Sequence, residues 1–427
     1  MIDQDRIREN PEKVKEALKK KLWDADFTEY LAWDKQRRTL LQLSEANKAE
    51  MNKLSSSVPE AKKRGEDVSK IFAKVKEIAA KNKENEEKVK ELENKIFEFL
   101  AALPNIPDED LVGGGKENNK AIKTFGEKPN FNFKIKDHVE LAESLGLVDY
   151  NRGAKISGHG AWIYTGLGAQ LEWALVNFFI SEHLKDGYEF ILPPHLLNEQ
   201  SGYVAGQFPK FRQDVFWLEG LEPQRFILPT AETALVNLHR DEIMDEDDLP
   251  KKYFAYTPCY RREAGSYRTE ERGMIRGYQF NKVEMVQYTK PEDSDAAFEE
   301  LVRKAESLVA KLGLHYQVSK LAAGDISHSM ARTYDIEVYI PSIGIYKEVS
   351  SASNARDYQA RRGMIRYRDK ATNKTRFVHT LNASGLATSR IFPALLEQYQ
   401  QEDGSVIVPE VLRPFMGGIE VLKPIKK

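Results

Sequence analysis

The sequence predicts an α+β protein: a long antiparallel helical hairpin, then an antiparallel sheet flanked by helices. Two observations carry this. A charged segment with a heptad of apolar residues fills most of the first hundred positions, and strand-like runs joined by short loops fill much of the rest, interrupted by a few amphipathic helices. A third observation narrows the class. There is no βαβα rhythm, no G-x-G-x-x-G and no P-loop, so a nucleotide would not be held in a Rossmann or Walker manner.

Within residues 27–103 the one glycine is Gly65, and Lys, Glu and Asn are abundant. Apolar residues recur at steps of three and four through Val68, Ile71, Val75 and Ile78, then Val89, Leu92, Ile96, Phe99 and Leu103, with Asn82 and Asn85 in the gap. The spacing predicts a helix with a seam of about five heptads whose polar centre costs stability and fixes register. Phe27 to Val58 is helical by composition with a weaker seam, in which Tyr30, Leu41 and Met51 share a register with Asp34, Arg37 and Lys48. Pro59 and Gly65 are breakers and Glu66-Asp67 suit a helix start, so the turn is expected at 59–66. The arm would be roughly 50 Å long, with Lys62, Lys63 and Arg64 at its tip. A solvated bundle or a dimerisation coil carries the same signature. Met1 to Asp26 reads as a short helix at the base of the arm. LPNIPDEDLVGGGKENN breaks the pattern and reads as a linker. The expected organisation is residues 1–103, a linker at 104–120, and a second domain at 121–427.

In that second domain, 168–184 and 298–314 have helical periodicity. Strand-like runs occupy 187–197, 225–230, 252–261, 274–289, 333–341 and 345–353, and 376–387 is a strand entering the helix TSRIFPALLEQYQ.

Composition bounds the function classes. The chain has 427 residues, 41% hydrophobic and 10% aromatic, too apolar for a disordered chain. No apolar run approaches the ~20 residues of a membrane span, and the first residues lack a signal-peptide core, so a cytoplasmic protein with no membrane partner is expected. One cysteine, Cys259, excludes an internal disulfide framework, and no Cys/His spacing suggests zinc. A net charge of −2 excludes a uniformly basic nucleic-acid coat, leaving local patches for any RNA.

Four segments bear chemistry. In TPCYRREAGSYRTEERGMIRGYQF, Arg261 and Glu263 sit two apart and would share a strand face; Arg276, Phe280, Lys282 and Glu284 share parity and would line one face. A cation, an aromatic ring and an anion on one face suit a phosphate, a purine and an amine, or else a salt-bridged surface. In YKEVSSASN, Glu348 and nearby serines offer oxygens to Mg²⁺. In HTLNASGLATSR, a strand with Asn382 and Ser384 enters a helix bearing Arg390, which suits phosphate or is an ordinary capped helix. In LPTAET, Thr230 and Glu232 sit two apart in a loop.

Together and in this order, these segments resemble the bacterial-type seryl-tRNA synthetases, a class II aminoacyl-tRNA synthetase family. GYEFILPPHLL is similar to the family's motif 1, YRREAGS…RGMIRGYQFNKVE to its motif 2 and GLATSRIFPALLE to its motif 3. GQFPKF, LPTAE, KEVSSASN and DGSVIVPEVLRPFMGG match segments between and after them, and the hairpin matches in place and length. The resemblance covers essentially the whole chain. It implies a class II antiparallel sheet flanked by helices, a homodimer built partly through motif 1, and two steps: serine plus ATP gives seryl-adenylate, then serine passes to the 3′ end of tRNA(Ser). It also admits tRNA(Sec).

The resemblance further implies tasks. Arg261, Arg276 and Arg390 would be catalytic: Arg261 bridging the α-phosphate and the serine carboxylate, Arg276 and Arg390 holding the γ end of a bent triphosphate. Arg262 and Glu263 would join Arg261 in binding ATP, Glu263 through the adenine amino group, with Phe280 stacked on the ring. The backbone of Glu348, Val349, Ser350 and Ser351 would lie against the nucleotide, Glu348 and Ser351 carrying Mg²⁺. Thr230, Ala231, Glu232 and Glu284 would take the serine amine and hydroxyl, Asn382 and Ser384 closing that pocket. Lys62, Lys63 and Arg64 would touch phosphates of the long variable arm of tRNA. A pocket that hydrogen-bonds a hydroxyl rejects alanine by as much as ~10⁴-fold; threonine must be excluded by shape, since no segment is spare for editing.

The basic stretch 359–376, with Arg361, Arg362, Arg366 and Arg368, is either structural or an acceptor-stem contact; the acidic stretch DEIMDEDDLP reads as a solvated turn. Departures from the family pattern are Tyr278 for a histidine, Lys347 for an arginine, Ala352 for a cysteine, and His328 and Met330 at small-residue positions. His328 and Cys259 read as packing residues. A serine-activating paralogue that charges something other than tRNA would keep the same ATP site, and a non-catalytic RNA-binding relative would not need the retained Arg261, Glu284 and Arg390.

Overall fold

The computed structural model describes residues 1–263 and 273–425. They form two compact units: Ile2–Glu16 with Asp24–Leu103, and Ala17–Trp23 with Met1 and the chain from Pro104 onward.

The first unit is the helical hairpin. Helix α1 spans Thr28–Lys63 and α2 spans Ser69–Ala102. Ile78, Asn82, Val89, Leu92, Ile96 and Leu100 of α2 are buried along the seam, and the gap residue Asn82 donates to Glu86 Oε1 at 3.1 Å. Two expectations on α1 need correction. The expected register holds at Tyr30, Asp34 and Ser44, which are buried, but Leu41, within the same register, is exposed. Pro59 does not break the helix but lies inside it, and the turn forms at the end of the expected span, where Gly65 adopts φ +74°. A proline removes one donor, but the last turn of a helix can lose one bond and continue to a glycine better suited to the reversal. Lys62 and Lys63 therefore occupy the last turn of α1, and Arg64 caps it beside Glu66 at 2.9 Å. Cross-helix ion pairs Lys48–Glu86 and Lys74–Glu50, at 3.1 and 2.6 Å, match an antiparallel pairing. At the base, Tyr30 stacks on Phe99 at 5.5 Å, and buried Asp34 receives Arg8, Arg37 and Arg38.

The second unit is built on an eight-stranded sheet. Its strands are β1 (Lys120–Phe125), β2 (Glu189–Phe190), β3 (Lys251–Tyr260), β4 (Gln279–Thr289), β5 (Tyr316–Lys320), β6 (Arg332–Ile340), β7 (Ile345–Asn354) and β8 (His379–Ala387). Their order is β1-β5-β6-β7-β8-β4-β3-β2, antiparallel except for the β2–β3 pair. Motif 1 is thus a two-residue edge strand rather than one long strand; Pro193-Pro194 cannot donate to a ladder, and pairing resumes only at Leu196–Asn198, in a separate small sheet.

Three helices cover one face: α3 (Leu167–Lys185), α4 (Ser294–Lys311) and α6 (Thr388–Gln398), with the short α5 (Tyr358–Gly363) before β8. Leu175 and Phe179 of α3, Leu301 and Leu308 of α4, and Ile391 and Leu395 of α6 pack against Val283 and Met285 of β4 and Leu381 and Ala383 of β8. Strand alternation then turns Lys282 and Glu284, Asn382 and Ser384 to the opposite face. Further along that face Val286 and Tyr288 enter a second, smaller core, so polar residues are concentrated at one end of the strands.

The linker stretch is anchored within this unit. Asn105 donates to the carbonyls of Ser329 and Ala355 at 2.9 and 2.8 Å, and Asp108 pairs with Arg332 and Arg356. The acidic stretch at 241–250 is not simply a solvated turn. Ile243–Asp245 pairs in parallel with Arg366–Arg368, and Asp247 takes Lys370. Arg361 pairs with Asp357, and Arg362 donates to the carbonyls of Tyr203 and Phe208, so these members of the basic stretch hold the fold. Arg366 and Arg368 lie on the paired strand, Arg368 exposed.

Candidate active site

One hollow opens on the polar face of the sheet. Thr230, Glu232, Arg261, Glu263, Arg276, Lys282, Glu284, Glu348, Ser351, Asn382 and Ser384 all line a cavity of 510 Å³. An adjoining 90 Å³ recess shares Arg261, Glu263, Arg276 and Glu348 and adds Phe280, Val349 and Arg390. Residues from well-separated stretches of sequence meet because β3, β4, β8 and β7 are neighbours.

The elements differ in detail from the expectation. Strand β3 ends at Tyr260, so Arg261 and Glu263 do not share a strand face; Glu263 takes φ +50° and turns the chain. Both side chains reach the hollow regardless. Arg276 also precedes β4, and its guanidinium pairs with the Glu263 carboxylate. The stretch of motif 2 at 264–272 lies outside the described residues. Phe280, Lys282 and Glu284 alternate on β4 as the parity predicts, and the Arg261 guanidinium stands 5.2 Å from the centre of the Phe280 ring. Glu232 opens a single helical turn, Glu232–Leu235.

The deep end is built around Glu284. It is 1% exposed, and Asn382 Nδ2 donates to its Oε1 at 3.3 Å. The Lys282 ammonium pairs with its Oε2 and donates to Thr230 Oγ1 at 2.6 Å. Glu232 lies nearby: burial, then the charge of Glu284, pushes its carboxyl up to about 7.

At the other end Arg390 donates to the backbone carbonyl of Glu348 at 2.8 Å and stands 3.5 Å from its carboxylate. Ser351 Oγ lies 2.6 Å from Asp335 Oδ1 and 3.1 Å from Glu348 Oε1, and its single proton can serve one of them at a time. Burial opposes ionisation of Glu348, but Arg390, the Ser351 hydroxyl and further cations together hold its carboxyl below the usual range. Burial, then Glu348, drives Asp335 well above it. The two neighbouring carboxyls are thus pushed in opposite directions.

Some side chains of the expected set do not face the hollow. Ala231 is fully buried; Ser350 is too, and its hydroxyl donates to the Ser384 carbonyl at 2.6 Å. The Arg262 side chain donates to the Gln213 carbonyl at 3.1 Å and does not line the hollow. The Val349 side chain is in the core. For Ala231, Val349 and Ser350, an approach to a ligand is through backbone, as expected for the last two. Lys62, Lys63 and Arg64 belong to the other unit. Of the departures, Met330 lines the hollow, Ala352 is fully buried, and the His328 ring packs edge-on to Trp23 at 5.7 Å. Cys259 is fully buried beside the hollow, and burial pushes its thiol up, which makes it inert. Asp335 and Gln207 line this region without having been singled out. Asp335 faces Ser351 only through the β6–β7 register, which linear spacing does not reveal.

Comparison with known proteins agrees with this architecture. Residues 1–107 match the family described as seryl-tRNA synthetase N-terminal domain, and residues 216–399 match the tRNA synthetase class II core domain (G, H, P, S and T). The chain is 63% identical to serine–tRNA ligase 2 of Clostridium acetobutylicum, covering 98% of this chain and 99% of that protein. It is 45% identical to serine–tRNA ligase of Thermodesulfovibrio yellowstonii, covering 99% and 100%. Among solved structures, seryl-tRNA synthetase from Pyrococcus horikoshii complexed with ATP superposes with a TM-score of 0.93 at 35% identity, each chain wholly covered. With a class II sheet, a helical arm and this degree of identity end to end, the chain belongs to the seryl-tRNA synthetases, ATP-dependent ligases that join serine to tRNA.

Proposed function

We propose that the hollow on the polar sheet face forms seryl-adenylate from serine and ATP, and that the helical arm then presents tRNA(Ser), and tRNA(Sec) where it occurs, for transfer. One observation supports this more than any other. The Lys282 ammonium rests between Thr230 and Glu284, with Asn382 on the far carboxylate oxygen, so the deep end of the hollow is already a seat for an ammonium group. The α-ammonium of serine is the substrate group that matches it.

The serine carboxylate is anionic at neutral pH and needs no base. It attacks the α-phosphorus in line with departing pyrophosphate, so positioning and charge stabilisation supply the acceleration. Arg261 bridges the α-phosphate and the attacking carboxylate. Phe280 stacks on adenine, and Glu263 accepts from its amino group. Arg276 leaves Glu263 to join Arg390 on the γ end of the bent triphosphate. Thr230, Glu232 and Glu284 take the serine amine and hydroxyl; Asn382 and Ser384 close the pocket. The Glu348 and Ser351 oxygens, 3.1 Å apart on one wall, suit Mg²⁺, which takes one or two protein oxygens and completes its shell with phosphate and water. Bound there, Mg²⁺ would neutralise phosphate charge. Serine specificity follows from buried polar groups that alanine leaves unpaired.

A charging assay with each of the twenty amino acids and total tRNA tests the assignment: serine alone should be incorporated. Glu284→Ala should lower kcat/KM for serine in ATP–pyrophosphate exchange by about 10- to 100-fold, the loss of a charge-assisted contact, while ATP still binds. Normal turnover in that variant would overturn the pocket. Exchange without transfer to tRNA would identify instead a serine-activating paralogue.

A further inference from the structure

Behind the deep end of the hollow sits a residue that touches neither proposed substrate. Gln359, on α5, is 2% exposed and does not line the cavity. Its amide is committed on every side. Nε2 donates to the Ala205 carbonyl at 3.0 Å and to Glu232 Oε1 at 2.8 Å, and Oε1 accepts from the fully buried Thr380 hydroxyl at 2.6 Å. A carbonyl can only accept, so the amide nitrogen must face Ala205, and the orientation has no alternative. The second N–H then points at Glu232 Oε1, which must accept as well. A proton on this carboxyl can reside only on Oε2.

We propose that Gln359 is a positioning residue for serine recognition: held by Ala205 and Thr380, it keeps one oxygen of Glu232 as a fixed acceptor and leaves the other for the incoming amino acid. This rests on the assignment of Glu232 to the serine pocket. Ala205, Gln359 and Thr380 come from three separate segments, so the arrangement ties the loop after residue 204, α5 and β8 to one carboxylate. Without the amide donor, Glu232 keeps its burial and the repulsion of Glu284 but loses an interaction that favours its charged form.

The test is ATP–pyrophosphate exchange by the full chain carrying Gln359→Met, Gln359→Glu, Thr380→Val or Glu232→Gln. Gln359→Met should raise the KM for serine by about 10-fold or more, with the KM for ATP within about twofold of the parent. Thr380→Val, which removes the hydroxyl that holds the amide oxygen, should raise it in the same direction by less. In Gln359→Glu two carboxyl groups face each other, so its KM ratio to the parent should be largest at about pH 8 and shrink toward about pH 6, where the introduced carboxyl, once protonated, can donate in place of the amide. A role confined to packing predicts none of this pH dependence. The proposal is overturned if Gln359→Met leaves the serine KM unchanged, if both KM values rise together, or if the Gln359→Glu ratio is flat with pH. A serine KM unaffected by Glu232→Gln would bring down the pocket assignment itself, and this proposal with it. An affected Glu232→Gln beside an unaffected Gln359→Met overturns the positioning role alone.

Discussion

Glu232 shows how one residue's environment becomes a measurable property. Burial first, and the Glu284 charge second, raise its carboxyl to about 7, against an ordinary value of 4.5. The folded protein therefore binds this proton more tightly than the unfolded chain, and stability falls as pH rises from about 4.5 through 7. Serine arrives with a positive ammonium group and needs the carboxylate. The KM for serine should accordingly decrease as pH rises from about 6 to about 8, while the KM for ATP shows no matching change, as initial-rate exchange at fixed saturating cosubstrate would reveal. A serine KM that is flat across this range would contradict the environment described. Asp34 is the opposite case. The Arg8 hydrogen bond, helped by Arg37 and Arg38, holds its carboxyl below the usual range despite its burial. Its contribution is present above about pH 4 and is lost as pH falls through its lowered folded value. Asp34→Asn should destabilise the helical unit by about 3 kcal/mol, since three arginines lose a buried counter-charge. Denaturant melts at neutral pH would measure this, and should show the gap from the parent closing in acid.

At the scale of elements, the helical arm is held by a narrow seam and by ion pairs across it, with no wider core along α1 among the described residues. Deleting residues 30–100 should abolish charging of tRNA while sparing serine-dependent exchange. Equal charging with and without the arm would remove its proposed role. The seam of α2 was legible in the sequence because apolar residues mark it every three or four positions. That of α1 was legible only weakly, because its buried positions include Asp34 and Ser44, which hydropathy scores as surface, while Leu41 is exposed. In the sheet, parity read from β4 put Phe280, Lys282 and Glu284 on one face, because strand alternation is a local property. Parity failed for Arg261 and Glu263 because the strand stops at Tyr260, and a strand's end depends on what its neighbours offer for pairing.

At the scale of the whole molecule, the second unit leaves large apolar side chains exposed on α3 and motif 1: Trp173 at 52%, Leu184 at 52% and Leu192 at 74%. Such surface favours a partner, and the proposed one is a second copy of the chain. Sedimentation of the full-length protein should give a dimer, and Trp173→Asp with Leu192→Asp should shift it toward monomer. A parent that sediments as a monomer at micromolar concentration would reject the dimer. The sequence by itself determined which side chains are available for phosphate, purine and amine, the α+β class, and the helical hairpin, since residue type and period are written along the chain. Only the tertiary structure decided that Arg261, Glu284, Glu348, Asn382 and Arg390 gather at one hollow and its adjoining recess, that Asp335 meets Ser351, and that Gln359 stands behind Glu232. The physical reason is that strand order and register bring distant segments within hydrogen-bonding reach, and these depend on how every strand and helix buries its apolar side at once.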